Sequence, residues 1–284
     1  MTVAIITDST ACIPPELAVR YGIEVVPLHL IFGGRTFVDT ITADTSEFYE
    51  LLRTTRDLPT TAAPSPGMFL NAIARARLIG ESILCITVSK QFSAMYDSAR
   101  QAIELAKAET PDLDVRLFDS RNAAMAQGFV ALEAARVARL PGATIEAVLA
   151  RADEMAARVE LLAMLDTLSY LARGGRVPRV AAWAAGMLQV KPIVRFQSSG
   201  VHLIARTRTR KRALDQMMET FARACGSHAV HLAIHHANAP ADAEYLRQLA
   251  ERQVRMAELH VTEFTQVMGV HTGPGLVALA FWLE

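Results

Sequence analysis

The fold is decided by one stretch in the first half of the chain, which reads Ser82-Ile83-Leu84-Cys85-Ile86-Thr87-Val88-Ser89-Lys90-Gln91-Phe92-Ser93-Ala94-Met95-Tyr96-Asp97-Ser98-Ala99. Its first part is a continuous apolar run rich in β-branched residues, which predicts a strand buried on both faces. A polar turn follows, and a helical pattern then places Tyr96, Ala99, Ala102, Ile103 and Ala106 on one side. Open α/β sheets bind ligands at such a point, outside the carboxyl ends of their strands.

Two serines, Ser89 and Ser93, lie where this predicted helix begins. The first amides of a helix have no partner within the helix and carry the positive end of its dipole, so an anion is favoured there. The two hydroxyl groups would add donors beside those amides. A lone serine at such a position is more often a helix cap, and capping by Ser93 is therefore the alternative interpretation.

The alternation of strand, polar turn and helix recurs on both sides of this stretch. Strands are predicted at residues 3–7 and 115–118, where Asp8 and Asp119 follow, and Asp8 is expected to cap the next turn. Residues 59–67 have the composition of a loop, and its Thr60-Thr61 pair counts loosely as another polar turn of this kind. A run at 25–32, Gly33-Gly34 and a run at 35–38 predict a hairpin. The first part of the chain is therefore expected to be an α/β/α domain with a parallel sheet.

The second half of the chain has a different pattern. Strands are predicted at 161–165, 191–196, 201–205, 229–235, 257–262 and 276–282. Helices are predicted at 180–188, at 240–253 and in a segment that ends at Cys225, and the stretch 168–177 is predicted to be a short helix that stops at its Gly pair. Strands that are partly adjacent in sequence indicate a mixed sheet with helices. The boundary is placed near residue 160, which gives an N-terminal domain of residues 1–160 and a C-terminal domain of residues 161–284.

Composition excludes several classes of function. Of 284 residues, 29 are Lys or Arg and 29 are Asp or Glu, so the balanced charge gives no reason to expect nucleic-acid binding. Three scattered cysteines in apolar surroundings indicate a reducing compartment without disulfides. The chain shows neither a signal peptide nor an apolar run of about 18–20 residues, so we expect a cytoplasmic protein without stable membrane insertion.

Three clusters could meet at the seam between the two domains. These are the hydroxyl groups of Thr61 and Ser93, the basic run Arg206 to Arg212, and the segment 268–275 around His271, which has the composition of a Gly-rich turn. Hydroxyls, amides, an arginine and a histidine together suit one anionic head group. No sequence motif for a metal site, a nucleotide phosphate or a hydrolase nucleophile is present. A Ser93–His271 nucleophile pair remains open as an enzyme alternative.

Several of these residues carry a family resemblance. The motifs are Asp8-Ser9-Thr10, Thr61-x-x-Pro64-Ser65, Ser89 with Ser93-x-x-Tyr96-x-Ser98-Ala99, Asp119-Ser120, Tyr170-Leu171-x-Arg173-Gly174-Gly175-Arg176 and Lys191-Pro192-Ile193. Their order and spacing over essentially the whole chain resemble those of the DegV family. The resemblance implies a bacterial fatty-acid-binding protein with the DegV-like two-domain fold, an N-terminal parallel-sheet domain plus a C-terminal domain with a mixed sheet and helices.

The resemblance also implies a site and a partner. In the family the hydroxyls matching Thr61 and Ser93 hold the fatty acid carboxylate between the domains, with the Ala94 amide beside them. Arginine and histidine residues matching Arg206 and His271 complete the site, and Ser89 and Arg173 are possible secondary contacts. Some members are the lipid-binding subunit, of the FakB type, of a fatty acid kinase. We therefore expect no catalysis by this chain, no cofactor and no metal, and a buried acyl chain in an apolar tunnel.

This sequence departs from the family pattern at two places. Ala94-Met95 stands where the family usually has Gly-Thr, and Ala62-Ala63 stands where it has Ser-Gln. Both anchor hydroxyls are retained, so binding of the head group is expected to persist. The alternatives are a lipid hydrolase or acyltransferase that uses Ser93 and His271, and a lipid-sensing regulator.

Overall fold

The computed structural model describes residues 2–39, 45–55, 58–177, 180, 190–197 and 200–284. The chain divides into two compact units, one of Met1–Ile41 with Thr60–Ala157 and one of Thr42–Pro59 with Arg158–Glu284. Helix α2 (Ser46–Thr54) thus belongs to the second unit, although the sequence analysis counted its residues with the first domain. A ligand site at the seam stays a prediction.

The first unit contains a four-stranded parallel sheet in the order β2-β1-β6-β7. The strands are β1 (Val3–Asp8), β2 (Ile23–Val26), β6 (Ser82–Thr87) and β7 (Asp114–Asp119). Every residue of β6 is buried, as its unbroken apolar run predicted. The helices of this unit are α1 (Pro15–Tyr21), α3 (Pro66–Ala76), α4 (Met95–Glu109), α5 (Ala124–Ala138) and α6 (Ile145–Arg158), with a 3-10 turn at Ser9–Ala11.

A second, antiparallel sheet of the first unit corrects two predictions. Its order is β4-β3-β5, with β3 (His29–Phe32), β4 (Arg35–Val38) and β5 (Thr60–Ala62). The predicted single strand at 25–32 is wrong, because Pro27 separates β2 from β3 and the two strands belong to different sheets. The prediction of a loop at Thr60-Thr61 is also wrong, because β5 pairs with β3 and is no part of the parallel sheet.

The second unit is built on a six-stranded mixed sheet in the order β10-β9-β8-β13-β11-β12. The strands are β8 (Glu160–Met164), β9 (Lys191–Gln197), β10 (Gly200–Thr207), β11 (Ala229–His236), β12 (Arg255–Glu263) and β13 (Val277–Leu283). Only the β11–β12 pair is parallel among these neighbours, and helix α9 (Pro240–Gln253) connects its strands. The remaining described helices are α7 (Ser169–Gly174), α8 (Arg210–Cys225) and α10 (Gln266–Thr272).

One face of this sheet forms the apolar core of the second unit with helices α8 and α9. Phe221 of α8 and Phe281 of β13 meet edge to face at its centre, with ring centroids 4.9 Å apart. The predicted two-domain α/β fold, with one parallel and one mixed sheet, is therefore confirmed. The helix predicted at 180–188 lies outside the described residues, apart from Val180.

Candidate functional site

The loop between β6 and α4 carries three of the predicted site residues, Ser89, Ser93 and Ala94, and is held by hydrogen bonds that its backbone N–H groups donate. Ser89 donates its N–H to the Asn122 carbonyl at 2.9 Å, and its hydroxyl accepts a bond from the Gln91 N–H at 3.3 Å. Ser89 is 3% exposed. Its position and its hydrogen bonds give it a structural role in this turn, and its secondary contact to a ligand stays a prediction.

Ser93 lies near the end of the same loop, two residues before α4 begins at Met95. Its hydroxyl oxygen accepts a hydrogen bond from the Met95 N–H at 3.3 Å. The N-cap position itself is taken by Ala94, which has no side-chain cap bond, so Ser93 contacts a first-turn amide without being the helix cap. Within the described part of the chain, no acceptor is found for the Ser93 hydroxyl hydrogen. A half-buried serine that can still donate, next to the exposed Ala94 at a helix N-terminus, is suited to a carboxylate oxygen.

Below this loop, the fully buried Asp8 connects β1 to the start of the loop. Its carboxylate accepts hydrogen bonds from the Val88 N–H at 2.8 Å and from the Thr10 N–H at 3.0 Å, and also bonds the Thr10 hydroxyl. Burial raises the pKa of Asp8, and the bonds from Thr10 and Val88 oppose that rise. Asp8 therefore caps the turn at Ser9–Ala11, as predicted, and also fixes the residue that precedes Ser89.

Thr61 lies on another element, strand β5, and the segment that follows this strand is hydrogen-bonded to helix α4. It lies on β5, half-buried, opposite Leu30 of β3. The strand leads into Pro64, whose carbonyl accepts a hydrogen bond from the Ser98 hydroxyl of α4 at 2.6 Å. The segment that contains Thr61 is thereby joined to the helix that Ser93 precedes, which brings together the two predicted hydroxyl-bearing segments of the first unit.

In the second unit, Arg206 lies on β10 opposite Pro192 and is exposed. The strand extends to Thr207, past its predicted end at residue 205, and α8 begins at Arg210 with Thr209 as its cap. Among the described residues, Arg206 forms no ion pair. Arg173, the other predicted arginine, is exposed in the last turn of α7.

The basic run continues into α8, where its charges are mostly neutralised. Arg210 bonds Asp242 at 2.5 Å and Asp166 at 3.2 Å, and Asp166 also accepts from Lys191 at 2.5 Å. Arg210, Asp242 and Asp166 border a cavity of about 470 Å³. Lys211 pairs with Asp215 one turn along the helix at 2.8 Å. Arg210 and Lys211 are therefore held by acids of their own unit, whereas Arg206 remains available to an anion.

His271 lies on helix α10, and the expectation of a Gly-rich turn around it is wrong. Burial lowers the pKa of His271 to about 4, and the charge of Arg176 adds to the effect. The imidazole is neutral near pH 7 and offers one N–H donor and one acceptor. It packs closely against α7, since a Cβ placed on Gly174 would lie 3.0 Å from the Nδ1 atom of His271.

Three further properties of the described residues concern metal-binding clusters, disulfides and membrane-spanning helices. Among them, no group of three or more His, Cys, Asp or Glu side chains is arranged to hold a metal ion. Cys12, Cys85 and Cys225 are buried and form no disulfide, and burial raises the pKa of the Cys225 thiol to about 11. Across the same residues, no helix combines the length and the apolar character needed to cross a membrane.

Sequence reasoning missed two side chains that hold the first unit's loops in place. Gln127, fully buried in α5, donates to the Thr7 hydroxyl at 3.1 Å and lies 3.0 Å from the Thr10 hydroxyl. Asn122 donates to the carbonyls of Ser120 and Ala156 at 2.8 and 3.0 Å. A single amide side chain within the long Ala-rich run of α5 was the available signal for Gln127.

Comparison with known proteins gives matches over the whole chain. A family model described as "Uncharacterised protein, DegV family" matches residues 2–284. A DegV domain-containing protein of Streptomyces coelicolor is 36% identical over 279 residues, which cover 98% of this chain and 97% of the relative.

Two solved structures also match this chain over its whole length. A DegV family protein from Thermus thermophilus, described by its fatty acid binding, superposes with a TM-score of 0.90 at 27% identity, covering 100% of both chains. DegV from Bacillus subtilis, described as a fatty acid binding protein, superposes with a TM-score of 0.86 at 29% identity, also covering 100% of both chains.

Proposed function

Since this chain belongs to the DegV family, we propose that it binds one long-chain fatty acid and presents the carboxyl group to a fatty acid kinase. The two similar structures described as fatty acid binding proteins support the first part of this proposal. The second part rests on the resemblance to the kinase subunits of the FakB type. The protein itself would supply binding and orientation, without a cofactor, a metal or a catalytic step of its own.

The observation that carries the proposal is the Ser93 hydroxyl at the start of α4. Its oxygen is engaged by the Met95 N–H, while its hydrogen has no acceptor among the described residues. A fatty acid carboxylate would provide that acceptor, and the helix dipole and the Ala94 amide would favour its charge. Thr61, connected to α4 through the Ser98–Pro64 bond, would supply a second hydroxyl donor.

The acyl chain would provide most of the affinity. Each buried methylene contributes roughly 0.8 kcal/mol, so a chain with about 15 methylenes gains about 12 kcal/mol before the costs of association. The head group then needs only to be kept ionised and oriented. Arg206 and His271 would act mainly in the coupled reaction, where a positive or hydrogen-bonding group stabilises the extra charge of an acyl phosphate.

The first test is native mass spectrometry of freshly purified protein together with analysis of its lipid extract. The expected result is about one long-chain fatty acid per chain. The double variant Thr61→Val with Ser93→Ala should then bind the acid at least about tenfold more weakly, because charge-assisted hydrogen bonds contribute roughly 1.5–3 kcal/mol each. A fatty acid methyl ester is the matched control ligand, and its affinity should not change. Equal losses for acid and ester would show that the hydroxyls are structural.

A coupled assay with a purified fatty acid kinase tests the role of carrier. The bound acid should become an acyl phosphate, and Arg206→Ala or His271→Ala should lower the coupled rate more than the affinity for the acid. The protein alone should hydrolyse neither ATP nor acyl esters. Esterase activity that Ser93→Ala abolishes, without any kinase-dependent product, would replace the carrier with a hydrolase that uses Ser93 and His271.

A further inference from the structure

The most exposed large apolar side chains of the described residues lie at one edge of the first unit, at the end of its parallel sheet opposite to Ser89 and Ser93. They are Leu78 (88% exposed), Val19 (82%), Leu140 (59%) and Ile79 (54%). In a parallel sheet each helix returns the chain to the amino end of the next strand, so the ends of α1, α3 and α5 gather at that edge. The four residues, here called the amino-edge patch, occupy the turns that follow or end these helices.

The patch borders a concave surface. Val19, Ile79 and Leu140 line a cavity of about 510 Å³ that is closed on one side by the first residues of β1. The turn that carries Leu78 and Ile79 is fixed against β1, because Glu81 donates its N–H to the Thr2 carbonyl at 3.0 Å. A Cβ at Gly80 would lie 2.7 Å from that same oxygen. The exposure of Leu78 and Ile79 is therefore imposed by the packing of the turn.

The patch has a basic border. Arg20, Arg77 and Arg139 are exposed, and none of them is ion-paired with a carboxylate in the described ranges. Arg20 and Arg139 also lie over the ring of Tyr21, at 5.5 and 5.9 Å from its centre, which keeps both guanidinium groups beside the cavity. Glu81 is the one acidic side chain in the turn that follows Arg77.

A purely structural role explains part of this arrangement. Arg139 donates to the Arg20 carbonyl at the end of α1, and cations are favourable at helix C-termini. Such a role requires no exposed apolar side chains. A contiguous apolar surface with a polar border is characteristic of an interaction site, and unpaired arginines favour carboxylates, which they bind in a bidentate manner.

We propose that the amino-edge patch is the docking surface for an acidic amphipathic segment of a partner protein. Its apolar side chains would enter the cavity, and its carboxylates would pair with Arg20, Arg77 and Arg139. A flat bilayer surface has no projecting apolar group to fill a concave cavity, which favours a protein segment over a membrane. Because Ser89 and Ser93 follow the opposite, carboxyl end of β6, the segment and an anion bound there would not compete. The inference does not depend on fatty acid binding.

The test uses the full-length protein and two synthetic helical peptides with the same spacing of leucine and phenylalanine. One peptide carries glutamates on its polar face, and the other carries lysines. Isothermal titration calorimetry should show binding of the acidic peptide and at least about tenfold weaker binding of the lysine peptide, as complementary charge selects partners. NMR shift changes should be confined to the residues around Leu78 and Val19.

Matched variants separate docking from damage to the fold. Arg20→Glu with Arg139→Glu should weaken the acidic peptide about tenfold or more, whereas Arg223→Glu with Arg252→Glu, two exposed arginines elsewhere, should not. If the first pair lowers the melting temperature, Val19→Ser with Leu78→Ser gives the same test without a buried change, and Leu105→Ser on α4 is its control. All of these variants should bind an added fatty acid like the unaltered protein.

Three outcomes would overturn the proposal. Equal binding of both peptides, or no binding of either, would show that Arg20, Arg77 and Arg139 do not select an acidic partner. Binding of the acidic peptide that the patch variants leave unchanged would place the site elsewhere. Patch-dependent binding of phosphatidylglycerol vesicles without peptide binding would make the surface a membrane contact.

Discussion

The two units hold their candidate ligand residues beside different buried ionisable groups, an acid in the first unit and bases in the second. In the first unit the loop before Ser93 depends on a carboxylate, Asp8, that is fully buried and accepts hydrogen bonds from Thr10 and Val88. In the second unit the buried groups are imidazoles. His235 of β11 is fully buried, and His271 of α10 packs closely against Gly174.

Burial acts on the two kinds of group in opposite directions. It raises the pKa of Asp8, and it lowers the pKa of His235 to about 3 and that of His271 to about 4. A buried carboxyl group needs several hydrogen-bond donors around it, as Asp8 has, whereas a buried imidazole can lose its charge and then needs fewer hydrogen bonds. His235 keeps a hydrogen bond with the Thr262 backbone, and His271 packs closely against Gly174. The first unit therefore positions its loop through hydrogen bonds to one carboxyl group, and in the second unit close packing adds to hydrogen bonding.

The largest expected effect comes from removing the carboxylate. Asp8→Ala leaves the buried Val88 and Thr10 N–H groups without an acceptor, so we expect the free energy of unfolding to fall by about 3–5 kcal/mol. Urea denaturation measures this loss. The control is Asp119→Ala, since Asp119 is half-buried and water can replace its bond to the Arg121 N–H, at a cost of about 1 kcal/mol. If the two variants lose equal stability, Asp8 does not have the central role assigned to it.

The steric fit of the second unit is tested at Gly273, directly after helix α10. Its φ is +78°, and a Cβ there would lie 2.2 Å from the Cδ2 atom of Tyr170. Gly273→Ala should lower the free energy of unfolding by about 2–4 kcal/mol, from backbone strain and overpacking together. Gly175→Ala is the matched control, because Gly175 has a φ of +69° but no atom within 4 Å of the added methyl group. Its free energy of unfolding should therefore fall by about 1 kcal/mol, from backbone strain alone. Equal losses would mean that contact with Tyr170 is unimportant.

The same contrast explains which elements could be predicted from the sequence. Strand β6 and helix α9 have local signals, a β-branched apolar run and an opening proline. The strand is found in the first part of the stretch that predicted it, and the helix has its predicted bounds. Strand β5 has no such signal, because Thr60–Ala62 is extended through pairing with β3, about thirty residues earlier in the chain. Local composition cannot reveal a partner at that distance.

Helix α10 was missed because its glycines have long-range causes. Gly269 lies inside the helix, where a Cβ would come within 2.5 Å of the Tyr49 hydroxyl. In the sequence, Gly269, Gly273 and Gly275 together resemble a turn. The candidate residues Thr61, Ser93, Arg206 and His271 came from the family resemblance more than from local patterns, and their joint binding of one carboxylate stays a prediction.

The dependence of stability on pH, an effect that is smaller when it is counted per pH unit and per residue, separates the two kinds of group. Because the folded pKa of each buried histidine is depressed, the unfolded chain binds more protons below about pH 6.5, and stability should fall as the pH decreases toward about 4, by about 1.4 kcal/mol per pH unit per histidine. Asp8 acts in the opposite direction: its raised pKa gives stability that is lost as the pH rises above about 3.8.

Two variants would resolve these contributions in urea titrations over this pH range. His235→Gln should make the loss of stability on acidification shallower, and Asp8→Asn should make it steeper. A slope that neither variant changes would assign the acid sensitivity to other groups and would remove the contrast between the two units.

The smallest expected effect concerns the hydrogen bond that joins the two hydroxyl-bearing segments of the first unit. Ser98→Ala removes the 2.6 Å bond from the Ser98 hydroxyl to the Pro64 carbonyl, at a cost of about 1 kcal/mol in stability. If the Thr61 segment and the start of α4 must be aligned to hold one carboxylate, the affinity for a fatty acid should also fall, by about fivefold, and the affinity for its methyl ester should not.

Ser82→Ala is the matched control, because it removes a similar bond, to Asp114 at 3.0 Å, at the amino edge of the same sheet. Equal stability losses in the two variants, with an affinity loss in Ser98→Ala alone, would show that this bond aligns the site. Equal affinities would show that Thr61 and Ser93 need no such alignment, and the hydrogen-bonded positioning of the first unit would then be limited to the loop that Asp8 holds.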